Sequence, residues 1–306
     1  MDDKEAAPAG ADQSLNLTDA LPPPEPEAVK EARETVYRHK LPTRLWHWWN
    51  AVALIGLFMS GLMIFNAHPR LYWGHYGANP DPAWLEIGAP RGVGQVRVGS
   101  LTVVTDGVLG RFVDSHGVTK KRAFPNWITL PGDYDLAGSR HFHLFFAWML
   151  GPALLLFMLW AFFSRHASRD LTPRLKELTP RHLLHEIWDH ARLRFPTGAA
   201  AARFNSLQKI SYFVVIFLFI PTMIFSGLVM SPGADAFAPW LVDLFGGRQS
   251  ARSVHFIICW ALAGFFVVHI AMVILAGPIN EIRSMITGWF HLPDERKPST
   301  AQGEQA

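Results

Sequence analysis

Four stretches of this chain, residues 45–65, 141–163, 210–230 and 254–276, contain no Asp, Glu, Lys or Arg. Each is as long as the roughly 20 apolar residues that a helix needs to cross ~30 Å of hydrocarbon. The pattern predicts an all-α integral membrane protein, a four-helix bundle with a long extracytoplasmic loop between helices 1 and 2 at residues 66–140. Within that loop one alternating segment, 95–104, reads as a hairpin, and the loop's length suggests a cap or docking surface. The membrane domain covers 35–290. Residues 1–34 are acidic and proline-rich, with the run Leu21-Pro-Pro-Pro-Glu-Pro-Glu, and read as a disordered tail without a secretory signal. Residues 291–306 read as a flexible C-terminal tail.

Composition narrows the chemistry. Half of the 306 residues are hydrophobic, 17% are charged and mean hydropathy is +0.13. A soluble domain carries about 25% charge, so a soluble enzyme is excluded, as is a collagen-like chain. Cys259 is the single cysteine, which rules out structural disulfides, a zinc–cysteine cluster and an iron–sulfur cluster. No Cys-x-x-Cys-His occurs, so no covalent c-type haem is expected. A net charge of +3 gives no reason to expect nucleic acid as a partner.

Charge also orients the bundle. Arg38, Lys40 and Arg44 precede helix 1, and the 164–204 loop has eight Lys/Arg against four acids. Basic loops stay cytoplasmic. Both termini and the 2–3 loop are therefore expected inside, with the 1–2 and 3–4 loops outside.

Five of the 14 histidines lie in or at the edge of apolar windows: His47, His141, His143, His255 and His269. An ionisable side chain at membrane depth suggests function by default. His255 and His269 are fourteen residues apart, which on a helix is ~40° short of four full turns and a climb of roughly 21 Å. They share one face at two levels. Helix 1 starts inside, placing His47 beside His269; helix 2 starts outside, placing His143 beside His255. Two opposed imidazoles at each of two levels is the arrangement of bis-histidine b-type haem, which transfers electrons and does not bind oxygen. His141 competes with His143 but lies about 200° around the helix from it; His143 is preferred.

Arginine repeats beside these residues. Arg44, Arg140 and Arg252 each stand three positions before a candidate ligand, at the membrane boundary. Residues three apart share a helix face, and arginine suits anionic haem propionates. Boundary anchoring explains each arginine singly but leaves the common spacing a coincidence. Mid-helix Gly56, Gly61, Gly151, Gly227 and Gly264 suit either a flat macrocycle or ordinary helix packing. Trp46, Trp48 and Trp49 fit an aromatic belt, and Pro221 is expected to kink helix 3.

The motifs Arg44-Leu-Trp-His47-Trp, Arg140-His-Phe-His143, Asn205-Ser-Leu-Gln208-Lys209 and the His255/His269 pair together resemble the bacterial cytochrome b561 / nickel-hydrogenase cytochrome b family. That family includes the gamma subunit of formate dehydrogenase and thiosulfate reductase cytochrome b. The resemblance implies two b haems, ligated by His47/His269 inside and His143/His255 outside, in a bacterial inner membrane. It also implies quinone exchange near the inner haem, with Asn205, Gln208 and Lys209 matching the family's quinone pocket. Asn205 and Gln208 also read as a helix cap. The segment Trp127-Ile-Thr-Leu-Pro131 with Asp135-Leu-Ala-Gly-Ser-Arg140 looks like cytochromes that accompany molybdopterin oxidoreductases, so such an enzyme is the first partner expected outside, with formate dehydrogenase, thiosulfate reductase and hydrogenase types as the others. The second reading is a stand-alone membrane redox enzyme of the same fold, a quinone reductase or superoxide oxidase.

Overall fold

The computed structural model describes residues 34–192, 194, 198, 201 and 204–293. A short strand, β1 (Thr35–Tyr37), leads into the first long helix, α1 (Leu41–Ala67). Pro42 suits its first turn, where a missing N–H costs no bond, and Pro69 follows its end. The long connection comes next and ends at Asp135, whose side chain accepts the N–H of Gly138 (2.9 Å) and starts α2 (Leu136–Phe163). An amphipathic helix, α3 (Pro180–Ala191), occupies the next connection.

The third span, Ser206–Met230, is continuous but not uniform. It runs as α4 (Ser206–Phe213), a π-helical stretch Val214–Phe219 and α5 (Ile220–Met230). Pro221 lacks an N–H and its ring crowds the preceding turn. The wider i→i+5 register just before it is how the helix passes that residue. Two short helices, α6 (Pro232–Phe237) and α7 (Pro239–Leu244), then lead to α8 (Arg248–Ala276). Gly277 stops α8 at φ 111°, and Pro278 opens α9 (Pro278–Thr287).

All four spans outrun their apolar windows, because polar turns at the boundary extend them. Their outward positions, among them Leu155, Leu156, Phe162, Phe163, Val267 and Val268, are exposed and apolar, as a hydrocarbon solvent requires. Inside, α1, α2 and the third span share a core of Ala53, Leu150, Leu154, Phe157, Val215, Ile216 and Ile220. Gly56 lets α1 and α2 meet closely, since a Cβ there would run into the Phe146 ring.

The two ends of the bundle differ. At one end β1 pairs antiparallel with β8 (Trp289–His291), and the N–H of Leu292 donates to Glu34 O (2.9 Å). Pairing therefore reaches into residues 291–292, at the start of the segment expected to be a flexible tail. The rest of the tails at 1–33 and 294–306 lies outside the described residues. This is the terminal end.

The other end carries the cap. Strands β2 (Arg70–Leu71), β3 (Leu85–Gly88), β4 (Gln95–Val98) and β5 (Leu101–Val104) form one antiparallel sheet in sequence order. The expected 95–104 hairpin is its β4–β5 half, turned by Gly99 (φ 56°) and Ser100; Gly supplies the left-handed conformation that such a two-residue turn needs. A second pair, β6 (Phe112–Val113) with β7 (Thr119–Lys120), precedes α2.

Side chains bind the cap to the helices. The buried Asn66 amide donates to Phe124 O (3.1 Å) and accepts from Phe124 N (2.8 Å), copying a strand pairing. Trp84 Nε1 donates to Ser253 Oγ (2.9 Å), and Gly74 O accepts the N–H groups of Gln249 and Ser250 at the start of α8. Gly247 (φ 109°) permits that docking, because a Cβ there would lie 2.6 Å from Gly74. Glu86 stands directly across from Arg70 on one side and Arg97 on the other, at 2.7 and 2.8 Å. Burial would raise its carboxyl pKa, but the two guanidinium groups outweigh burial and hold it below the usual range.

Candidate metal centres

The four intramembrane histidines meet in two pairs. Near the cap, His143 on α2 faces His255 on α8, with ring centres 6.3 Å apart and planes at 56°. Near the terminal end, His47 on α1 faces His269 on α8, at 6.2 Å and 58°. His141 is exposed and has no part in either pair.

These separations have a simple meaning. A metal–imidazole bond is about 2 Å, and the bonding nitrogen lies about 1 Å from its ring centre, so opposed imidazoles on one ion need centres about 6 Å apart. Both pairs meet that figure. Among the described residues no three His, Cys, Asp or Glu side chains converge as a metal site. Two opposed imidazoles per level would suit an ion whose other bonds come from a macrocycle, and they fit haem. Buried His47 Nδ1 also has no hydrogen-bond partner among the described residues.

Surroundings distinguish the pairs. Ser60 Oγ lies 3.0 Å from His143 Nδ1, and Ser226 Oγ lies 2.9 Å from His255 Nδ1. Both serines are fully buried. Sequence reasoning missed them. A signal was available, since Ser-Gly-Leu occurs in two of the spans, at 60–62 and 226–228. The glycines matter too: a Cβ on Gly61 or Gly227 would touch the same imidazole, 3.4 or 3.5 Å from its Cε1. At the other pair the ring of Phe265 stacks on His269 (5.7 Å, 15°) and Trp48 meets His47 edge-on.

The chain belongs to the prokaryotic cytochrome b561 family. The model of that family matches residues 38–288, a stretch that includes all four spans. The chain is thus a membrane b-type cytochrome, an electron-transfer protein that uses haem b. It is 32% identical to a putative protein-methionine-sulfoxide reductase subunit YedZ1 of Azospira oryzae, over 49% of this chain and 71% of the relative. It is 26% identical to a probable Ni/Fe-hydrogenase B-type cytochrome subunit of Azotobacter vinelandii, over 65% of this chain and 85% of the relative. A similarly named subunit of Bradyrhizobium diazoefficiens is 24% identical over 84% of this chain and 86% of the relative. No solved structure matches.

The three boundary arginines of this cytochrome differ in their contacts. Arg252 donates to the carbonyls of Arg70 (3.1 Å) and His68 (2.5 Å), at the edge of the cap. Arg44 donates to the carbonyl of Ile286 on α9. Arg140 is exposed at the start of α2.

The three residues matched to a quinone pocket are held by structural bonds. Asn205 Oδ1 accepts Gln208 N (2.8 Å) and Gln208 Oε1 accepts Asn205 N (3.1 Å), a reciprocal capping box at the start of α4. Asn205 Nδ2 donates to His190 Nε2 (3.0 Å), and Lys209 Nζ pairs with Glu177 (2.9 Å). Nearby, His39 is buried beside the Phe204 ring. Burial, with Arg38, His47, Arg44 and His166 adding positive charge, pushes its imidazole down to about 4.

Proposed function

We propose that this cytochrome holds two haems b, one between His143 and His255 and one between His47 and His269, and passes electrons between quinone and a partner oxidoreductase. The carrying observation is the pair of imidazole couples at 6.3 and 6.2 Å, stacked along α8. Such haems, held by these four imidazoles, would supply reversible one-electron storage. The protein's share is to orient four imidazoles, exclude water from them and place cations at the boundary. Arg44, Arg140 and Arg252 are proposed to meet the propionates. The membrane is a bacterial inner membrane, with both termini cytoplasmic and the cap outside.

The cap is the proposed docking face. Its edge strand β5 leaves Leu101 (65%), Val103 (50%) and Val104 (68%) exposed, and an apolar edge strand invites another chain. Hydrogenase and sulfoxide-reductase subunits among the relatives support a partner oxidoreductase. A molybdopterin enzyme is the first candidate and a hydrogenase the second. Quinone exchange is proposed at the terminal end, near Asn205, Gln208 and Lys209, which rests on the family resemblance and their level beside His47 and His269.

Pyridine haemochrome analysis of the purified chain should return two haems b, with no carbon monoxide complex after reduction. One haem per chain would overturn the pairing. Purification from native membranes should bring down a redox enzyme bound through the cap; a chain that oxidises or reduces quinone alone would favour the stand-alone reading. Asn205→Ala with Gln208→Ala should slow reduction by a quinol analogue per haem in rapid mixing. Unchanged rates would leave the three residues a cap and an ion pair.

A further inference from the structure

The contacts of Ser60 and Ser226 form a repeated device. Ser60 Oγ–H donates to Gly56 O (2.6 Å), four residues back on α1. Ser226 Oγ–H donates to Thr222 O (2.7 Å), four residues back on α5. A serine hydroxyl has one hydrogen and two lone pairs. The backbone carbonyl takes the hydrogen at the shorter distance. What remains toward each imidazole, at 3.0 and 2.9 Å, is an acceptor. Nδ1 of His143 and of His255 must then carry its proton and donate toward serine, with the backbone carbonyls of Leu57 and Met223 also in reach of the two rings, which leaves Nε2 of each ring with a free lone pair.

Two different helices thus present the same Ser-Gly pair to two facing histidines, the hydroxyl on Nδ1 and the glycine under Cε1. At the other pair, His47 Nδ1 has no partner among the described residues.

We infer that Ser60 and Ser226 are positioning residues for the cap-side haem: they fix both axial imidazoles as Nδ1–H tautomers and set that haem's redox poise apart from the other's. This rests on the proposed ligation by His143 and His255. A hydrogen bond from the outer ring nitrogen orients a metal-bound imidazole and raises its basicity. A more basic ligand favours the oxidised iron, so each serine lowers the midpoint potential of the haem it serves. On the terminal side, His47 Nδ1 has no such contact among the described residues.

The test is potentiometric titration of the purified full-length cytochrome, followed by visible absorption and by the low-spin ferric electron paramagnetic resonance signals. His143→Ala and His255→Ala, run first, assign one haem signal to the cap-side pair. If both variants keep every haem signal, the ligation reading fails whatever the serines do. Given that assignment, Ser60→Ala and Ser226→Ala should each shift the cap-side midpoint upward, change its resonance signal and leave the other haem unmoved. Ser60→Thr and Ser226→Thr, which keep the hydroxyl, should restore the wild-type midpoint. Unmoved cap-side midpoint and signal in both alanine variants at full haem content would overturn the inference, as would an equal shift of the terminal-side haem. Should an alanine variant not load haem, its threonine variant decides: a wild-type midpoint supports the role, and a midpoint displaced upward overturns it.

Discussion

The two histidine pairs are nearly the same in separation and different in everything around them. Ring centres stand 6.3 Å apart near the cap and 6.2 Å near the terminal end, with planes at 56° and 58°. Near the cap the rings have buried hydroxyl partners and glycines beneath them. Near the terminal end they have aromatic neighbours, Phe265 and Trp48, and His47 Nδ1 has no hydrogen-bond partner among the described residues. The backbone of packed helices sets how far apart two ligands stand. The small contacts behind them set how they behave, and those contacts vary without disturbing the spacing.

The most severe way to break the comparison is to remove ligands. His143→Ala and His255→Ala should each abolish the same haem, while His47→Ala and His269→Ala should each abolish the other, read from reduced spectra and haem content. His141→Ala should leave both. Loss of one haem in His141→Ala with its retention in His143→Ala would reassign the cap-side pair.

Acid should loosen the terminal end. His39 is held near 4 at the terminal end against 6.5 in the unfolded chain, so unfolding binds a proton between those values. Stability from burying it neutral is complete above about 6.5 and is lost as pH falls toward about 4, on the order of 3 kcal/mol in all. Protection factors at the β1–β8 pairing, taken relative to the intrinsic exchange rate at each pH, should fall over that window. His39→Phe should flatten the profile; an unchanged profile would point to another group.

At the cap, Asn66→Leu should leave both polar groups of Phe124 buried and unpaired, at about 1–3 kcal/mol each. Faster proteolysis of residues 70–125 with normal haem content is the expected readout. The smallest effect is at the start of α4. Asn205→Ala should lose a cap worth about 1 kcal/mol, seen as faster exchange in the first turn of that helix. Loss of haem instead would mean that this end of the third span holds the terminal-side pair in place.

How much of this was legible beforehand depended on the range of the interaction. The spans were readable because hydrocarbon excludes charge over a whole helix length. The facing pairs followed from helical periodicity along α8 and from the alternating direction of the spans. The 95–104 hairpin was readable from strand alternation, but the strands β2 and β3 that complete its sheet were not. They contribute only Arg70–Leu71 and Leu85–Gly88, two separate short runs with no continuous alternation between them. Pro221 predicts a kink, and the structure adds that the helix meets this proline with a π-register stretch over Val214–Phe219.

By itself, then, the sequence determined the membrane class, the number of spans and which histidines share a helix face, since each depends on local composition and a fixed helical repeat. Tertiary structure decided what stands behind each imidazole. Ser60 reaches His143 across 83 residues of chain and Ser226 reaches His255 across 29. No periodicity along one helix encodes a hydrogen bond to another, because that bond exists only once the helices have packed.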